Sequence, residues 1–143
     1  MNIPFLDNWR RKHEAAGPAE AVDADPEGVA QLLAECELLR VRAGRAGLVL
    51  DDSPTSLAAL DQLPPHWRDD PEEVPWVGND AGLYLGTVIV RTVPGAAWHV
   101  LPGGHPMVRL ASGREVDVVE AGLDWAVCGS PELSRVYAEA AEA

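Results

Sequence analysis

The chain has 143 residues, of which 47% are hydrophobic, and its formal net charge is −12. A chain of this length can bury one sizeable core, whereas two domains would each be poorly buried, so the sequence predicts one domain. The net negative charge argues against a nucleic-acid-binding protein, because it would repel a phosphate backbone. The same charge is compatible with a basic protein partner.

No segment of the sequence indicates secretion or a membrane span. The first residues lack a basic region followed by an apolar signal core, and no run approaches the ~20 apolar residues that cross a bilayer. We therefore expect a cytoplasmic protein. Cys36 and Cys128 lie far apart and form no Cys-x-x-Cys pair, so we interpret them as a pair of core thiols in a cytosolic protein, without a metal or redox motif.

The first residues predict a short amphipathic helix, which we assign to residues 1–16. Phe5 and Trp9 supply apolar contacts. A cationic run follows them: Arg10, Arg11 and Lys12. This pattern predicts a helix that docks in a partner groove or makes peripheral contact with an anionic membrane surface. In the alternative interpretation, Phe5 and Trp9 fold back on the domain.

A linker and a longer helix are predicted next. Residues 17–26 are small, acidic and Pro-rich without a period, as in linkers, and the single domain is assigned to residues 27–143. Asp25 as N-cap and Pro26 at the first helical position mark a helix start. The apolar face of this helix comprises Val29, Leu32, Leu33, Cys36, Leu39 and Ala43. Since Cys36 belongs to that face, we interpret it as a buried apolar residue and not as a nucleophile.

A second helix is predicted to begin where Ser53 is followed by Pro54. Its core-facing residues are Leu57, Leu60 and Leu63. Asp51 and Asp52 precede it, which raises the hypothesis of an acid and base pair. Adjacent carboxylates at a helix start are more often caps and dipole partners, so we favour the structural interpretation.

The segment PPHWRDDPEEVPW, residues 64–76, is rich in proline and acidic residues and predicts an irregular loop. Trp67 and Trp76 lie within it. These indoles either fix the loop to the domain or, if they are exposed, form a contact surface.

The longest apolar run is NDAGLYLGTVIVRTVPGAAW. Its consecutive β-branched residues favour a strand, whereas the helical spacing of its apolar positions favours a helix. Asn79 or Asp80 would cap that helix, and the Pro-Gly dipeptide would end it. We predict a buried helix over about residues 79–93, in which Gly82 and Gly86 form a groove that admits another backbone closely.

Strands and two more helices complete the prediction. Three short strands with intervening turns are indicated at residues 97–101, 107–110 and 115–119. They predict a three-stranded antiparallel meander. A short helix over residues 121–128 and a last helix capped by Ser130 follow. The predicted fold class is therefore α+β, with N-terminal helices, one buried central helix, the meander and C-terminal helices.

Few residues suggest chemistry. His99 and His105 flank the first turn of the meander and are the best available metal pair, but no cysteine or metal-type spacing accompanies them. The sequence has no Gly-x-Ser-x-Gly elbow, phosphate loop or His-Glu-x-x-His motif. We therefore assign no catalytic residue, metal ligand or cofactor. A pocket in which Tyr84 and Asp117 converge with the two histidines would instead favour a small-ligand binder or an enzyme.

Four segments in order resemble a known family: DDSPTSLAALDQLP, GNDAGLYLGTVIVRTVPGAAW, GGHPMVRLASGREVDV and GSPELSRVYAE. They are similar to a family of small, uncharacterised actinobacterial proteins classed as a domain of unknown function, and the resemblance includes the opening MNIPFLDNWRRKHE. The YLG-type motif also resembles other uncharacterised bacterial domains, in which a helix with this motif precedes a small sheet. The resemblance supports the central helix and implies no reaction or cofactor.

We expect a non-enzymatic protein-interaction module, an adaptor or a regulator. The predicted partner-binding residues are Phe5, Trp9, Arg10, Arg11, Trp67 and Trp76. Removal of residues 1–16 should then leave folding intact and abolish partner capture. One alternative is an acidic immunity or inhibitor protein that neutralises a basic partner. The other is a small-ligand binder or enzyme with a pocket near His99 and His105.

Overall fold

The computed structural model describes residues 25–63 and 71–142. Its helices are α1 (Pro26–Leu33), α2 (Glu37–Arg45), α3 (Pro54–Leu60), α4 (Val74–Thr92), α5 (Val118–Cys128) and α6 (Leu133–Glu142). Its strands are β1 (Ala97–Val100), β2 (Pro106–Arg109) and β3 (Glu115–Val116). The α+β fold class is confirmed. None of the helices in these ranges is long and apolar enough to span a membrane.

Helix α4 is the buried central element, as predicted, and α1, α2, α5, α6 and the sheet pack against it. All of its residues from Val77 to Ile89 are buried except Asp80, which is partly exposed. The predicted start at residue 79 is wrong, because the helix begins at Val74 with a proline in its first turn, where the fixed φ of proline suits a helix. Asn79 and Asp80 therefore lie inside α4 and do not cap it.

The sheet is an antiparallel meander in the order β1-β2-β3, which confirms the prediction. Trp98 pairs with Val108, and Val108 pairs with Val116 across the next strand. The first two side chains are buried. The third strand is shorter than predicted, because Asp117 accepts a hydrogen bond from the Glu120 amide and caps α5. Helix α5 consequently begins three residues before the predicted start at residue 121.

Glycines allow α4 and α5 to pack with their backbones in contact. A Cβ atom on Gly82 would lie 2.3 Å from the carbonyl oxygen of Val118. On α5, a Cβ atom on Gly122 would lie 2.3 Å from the Gly78 carbonyl oxygen. One turn further along α4, Gly86 admits the ring of Trp98 from β1, where a Cβ atom would lie 2.3 Å from the ring edge. The predicted close approach of another backbone is therefore confirmed at Gly82, whereas at Gly86 the groove admits a side chain.

The helix that was predicted to begin at Pro26 is interrupted. Asp25 caps α1 through a 3.0 Å hydrogen bond from the Gly28 amide, with Pro26 first in the helix, as predicted. However, α1 ends at Leu33 and α2 begins only at Glu37, because Cys36 adopts left-handed backbone dihedrals with φ of 43°. The single continuous helix is therefore wrong, although the apolar stripe on both sides of the break is largely buried.

The last helix is capped from a distance. Ser130 was predicted as its N-cap, but α6 begins at Leu133, and its first amides donate to the carboxylate of Asp61, the residue after α3. Asp61 also accepts from the Trp125 indole at 2.9 Å and from the Ser134 hydroxyl at 2.6 Å. A single carboxylate thus connects α3, α5 and α6. By contrast, Ser53 caps α3 as predicted.

Candidate functional site

The junction between α1 and α2 is stabilised from the central helix. Cys36 occupies the N-cap position of α2 but makes no side-chain capping bond. In its place, the carboxylate of Asp80 accepts a 3.1 Å hydrogen bond from the Leu39 amide, in the first turn of α2. A carboxylate at this position satisfies an unpaired helix amide and complements the helix dipole. Asp80 therefore caps the start of α2 from another helix, in place of a side chain at the N-cap position.

Burial controls the ionisation of this junction. Removal from water raises the pKa of Asp80 to about 6, although the hydrogen bonds from α2 amides and the charge of Arg40 act in the opposite direction. Burial, and then the charge of Asp80, raise the pKa of the Cys36 thiol well above its ordinary value. The thiol donates to the Leu33 carbonyl at 3.5 Å. These observations confirm the interpretation of Cys36 as a buried residue and oppose a nucleophilic role. The prediction is wrong for Cys128, which is exposed at the end of α5.

Arg40 on α2 joins the break to the loop before α3. Its guanidinium donates to three backbone carbonyls, those of Ala34, Glu35 and Leu50, each at 3.0 Å. It also pairs with the carboxylate of Asp52 at 3.2 Å and lies 5.4 Å from the centre of the Tyr84 ring. Because its donors are engaged by these groups, Arg40 holds the junction together and has little capacity to bind an anion.

Asp52 has a structural role. Its φ is 61°, a left-handed conformation that is unusual for a residue other than glycine. Its carboxylate accepts from Arg40 and Arg91, and its amide donates to the Tyr84 hydroxyl at 2.9 Å. That hydroxyl is also 2.6 Å from the hydroxyl of Ser56. Asp51 is instead engaged by Ser53, so the two adjacent carboxylates have separate partners, as expected for structural residues.

A surface depression lies beside the start of α2. It is lined by Glu35, Glu37, Arg40 and Val41 and has a volume of about 580 Å³. We call it the α2 depression. Both glutamates are exposed, and Val41 is 44% exposed although it is a large apolar residue. Since Arg40 is bound to carbonyls and to Asp52, the groups available to a ligand are two carboxylates and an apolar side chain.

The two histidines have separate partners. His99 contacts Glu115 on β3, and Arg109 from β2 also donates to that carboxylate at 2.9 Å. The hydrogen bond with Arg109 lowers the pKa of Glu115 most, and the hydrogen bond with His99 lowers it further. His105 is bonded to Asp117 at 2.8 Å. Within residues 25–63 and 71–142, no group of three or more histidine, cysteine, aspartate or glutamate side chains is arranged to hold a metal ion.

The structure does not support the hypothesis of a pocket that combines Tyr84 with the histidines. The hydroxyl of Tyr84 is buried against Asp52 and Ser56, whereas His105 and Asp117 bond to each other at the end of the sheet. The α2 depression contains none of the proposed pocket residues. Tyr84 and His105 thus have separate partners, and the small-ligand alternative stays a prediction.

Most predicted partner-binding residues lie outside the described ranges: Phe5, Trp9, Arg10, Arg11 and Trp67. Trp76 is described, and it lies half-buried in the first turn of α4. The prediction of an irregular loop through residue 76 is wrong for its last three residues, which are helical. The α2 depression was not predicted from the sequence. The available signal was Val41, an apolar residue outside the core stripe between two arginines.

A family model described as "Family of unknown function (DUF6278)" matches residues 1–143. No curated protein and no solved structure is significantly similar to the chain.

Proposed function

The chain belongs to DUF6278, a family of unknown function, and from its geometry we propose a non-enzymatic protein-interaction module, an adaptor or a regulator, that binds its partner at the α2 depression. The observation that carries this proposal is the combination of Glu35 and Glu37 with the exposed Val41 at one place. Two carboxylates beside an apolar surface favour a partner segment in which a basic residue neighbours a bulky apolar one.

The state of the buried polar groups supports an interaction role over chemistry. Asp61 and Asp80 cap helices, and Asp52 is held by two arginines. The hydroxyls of Tyr84 and Ser56 bond to each other inside the core. A catalytic group requires access to substrate, and these side chains are occupied in holding the helices together.

The experiment is affinity purification from a lysate of the source organism, with three versions of the full chain as bait. The first is the wild type, and the second is Glu35→Lys with Glu37→Lys. The third is a control with the same change in net charge, Glu132→Lys with Glu142→Lys, at exposed positions beside and at the end of α6. We expect one set of partners to be retained by the wild type and the control and to be lost from the second version. Equal capture by all three would refute the proposal.

A second candidate function, an inhibitor that neutralises a basic protein, is favoured by the net charge of −12. The same capture experiment distinguishes it. An inhibitor should retain a strongly basic enzyme or toxin whose activity falls on binding, with an association rate that drops steeply at high salt. A captured partner with unchanged activity would leave the adaptor role and exclude the inhibitor role.

A further inference from the structure

The α2 depression defines the chemistry of what can occupy it. Glu35 and Glu37 flank the break at Cys36, and Val41 lies one helical turn beyond Glu37. An occupant needs cations that reach the two carboxylates and a bulky apolar side chain that covers the exposed part of Val41. Aromatic side chains suit the second purpose because they bury a large area.

The chain itself contains a segment of this chemistry. Phe5 and Trp9 precede three consecutive cations, Arg10, Arg11 and Lys12. Most arginines of the described ranges already have carboxylate partners. The paired arginines are Arg40, Arg42, Arg91, Arg109 and Arg135. The basic run of residues 10–12 is therefore the part of the chain whose charge and aromatic content best complement the α2 depression.

The chain length permits this contact. Lys12 is 13 residues before Asp25, the cap of α1, and such a stretch spans up to about 40 Å when extended. Helix α1 has eight residues, which is about 12 Å, and Glu35 lies two residues beyond its end. A tether of this kind gives an effective concentration on the order of millimolar, so even a weak contact would be occupied.

We infer that residues 1–16 dock within the same chain on the α2 depression and so compete with an external partner for it. The docking follows from charge, apolar character and reach, whereas the competition rests on the proposed function. The inference selects the fold-back interpretation of Phe5 and Trp9. It also reverses the expected effect of removing residues 1–16, since removal should increase partner capture at the α2 depression.

The test uses the single lysine of the chain. A carbodiimide joins a lysine amine to a carboxylate only when the two are in contact, so every lysine cross-link must involve Lys12. We expect peptide mapping of the full chain to find Lys12 joined to Glu35 or Glu37. The variant Phe5→Ser with Trp9→Ser keeps all three reactive groups, and its yield of these cross-links should fall at least fivefold.

The control for cross-linking is Glu132→Gln with Glu142→Gln, which should give the wild-type yield. A mixture of isotope-labelled and unlabelled chains shows whether the linked peptides come from one chain. Absence of the Lys12 cross-links, a yield unaffected by the Phe5 and Trp9 substitutions, or links between two chains would each overturn the inference. Circular dichroism confirms that the variants remain folded.

The regulatory part is measured by adding a labelled synthetic peptide of residues 1–16 to the full chain. The Phe5→Ser, Trp9→Ser chain should bind this peptide at least fivefold more tightly than the wild type, because its own segment no longer occupies the site. Equal affinities would overturn the competition. If the cross-links form while partner capture ignores Glu35 and Glu37, the docking stands and the proposed function fails. If partner capture depends on Glu35 and Glu37 but the cross-links do not form, the proposed function stands and the docking is refuted.

Discussion

Replacement of Asp80 by Asn removes a buried charge but keeps an oxygen that can accept the Leu39 amide. The pKa of Asp80 is about 6 against an ordinary value of 3.8, mainly because of burial. The folded protein therefore binds this proton more tightly than the unfolded chain. At about 1.4 kcal/mol per tenfold change, ionisation of Asp80 lowers the free energy of unfolding by about 3 kcal/mol at pH 8. This loss disappears as the pH falls from 6 towards 3.8.

We therefore expect Asp80→Asn to raise the free energy of unfolding at pH 8 by up to about 3 kcal/mol, and at pH 4.5 by no more than about 1 kcal/mol. Urea unfolding followed by tryptophan fluorescence at several pH values measures the difference between variant and wild type. This difference isolates Asp80 because both chains share all the other titrating groups, including its neighbours Glu37 and Arg40.

A matched control is Asp61→Asn. Both oxygens of Asp61 accept hydrogen bonds from α5 and α6, and an amide group can accept with only one of them. This substitution should lower the free energy of unfolding at pH 8 by about 2 kcal/mol or more. If Asp80→Asn instead lowers it equally at pH 4.5 and pH 8, the ionised carboxylate is needed as a cap, and the argument from burial is refuted.

Further substitutions test the packing. Gly82→Ala should lower the free energy of unfolding by about 3 kcal/mol or more, because its Cβ would strike the α5 backbone. Gly44→Ala in α2, where the space around the glycine is open, should raise the free energy of unfolding by about 0.5–1 kcal/mol. Urea unfolding measures both variants, and equal effects would contradict the packing argument. Tyr84→Phe removes the acceptor of the Asp52 amide and the partner of Ser56 and should cost about 1–3 kcal/mol; an unchanged midpoint in thermal unfolding would show that water replaces the hydroxyl.

Local signals in the sequence predict those parts of the fold that depend on neighbouring residues. The caps at Asp25 and Ser53, each followed by proline, mark two helix starts correctly. The apolar run identifies the central helix, and the glycines at positions 82 and 86 identify where other elements approach it. In each case the relevant bond or contact surface is set by residues within a few positions, so spacing alone is informative.

The errors occur where a distant residue determines the local structure. No glycine or proline in the sequence marks the break at Cys36. The break is stabilised by Asp80, 44 positions later, and by Arg40. Ser130 is a good local cap by composition, but Asp61 performs that role for α6 from 72 positions away. The α2 depression was missed for the same reason, because two of its lining residues, Glu35 and Glu37, lie on either side of that break.

Because α2 and α6 are capped by carboxylates from other parts of the chain, the stability of each helix start depends on the element that supplies its cap. Leu39 in α2 and Leu133 in α6 each donate an amide proton to a residue of another part of the chain. Neither helix start can fray without breaking a hydrogen bond to a partly buried aspartate. Breathing motions confined to one helix are consequently suppressed, and amide exchange at these two positions should require the cooperative opening of the whole helical assembly.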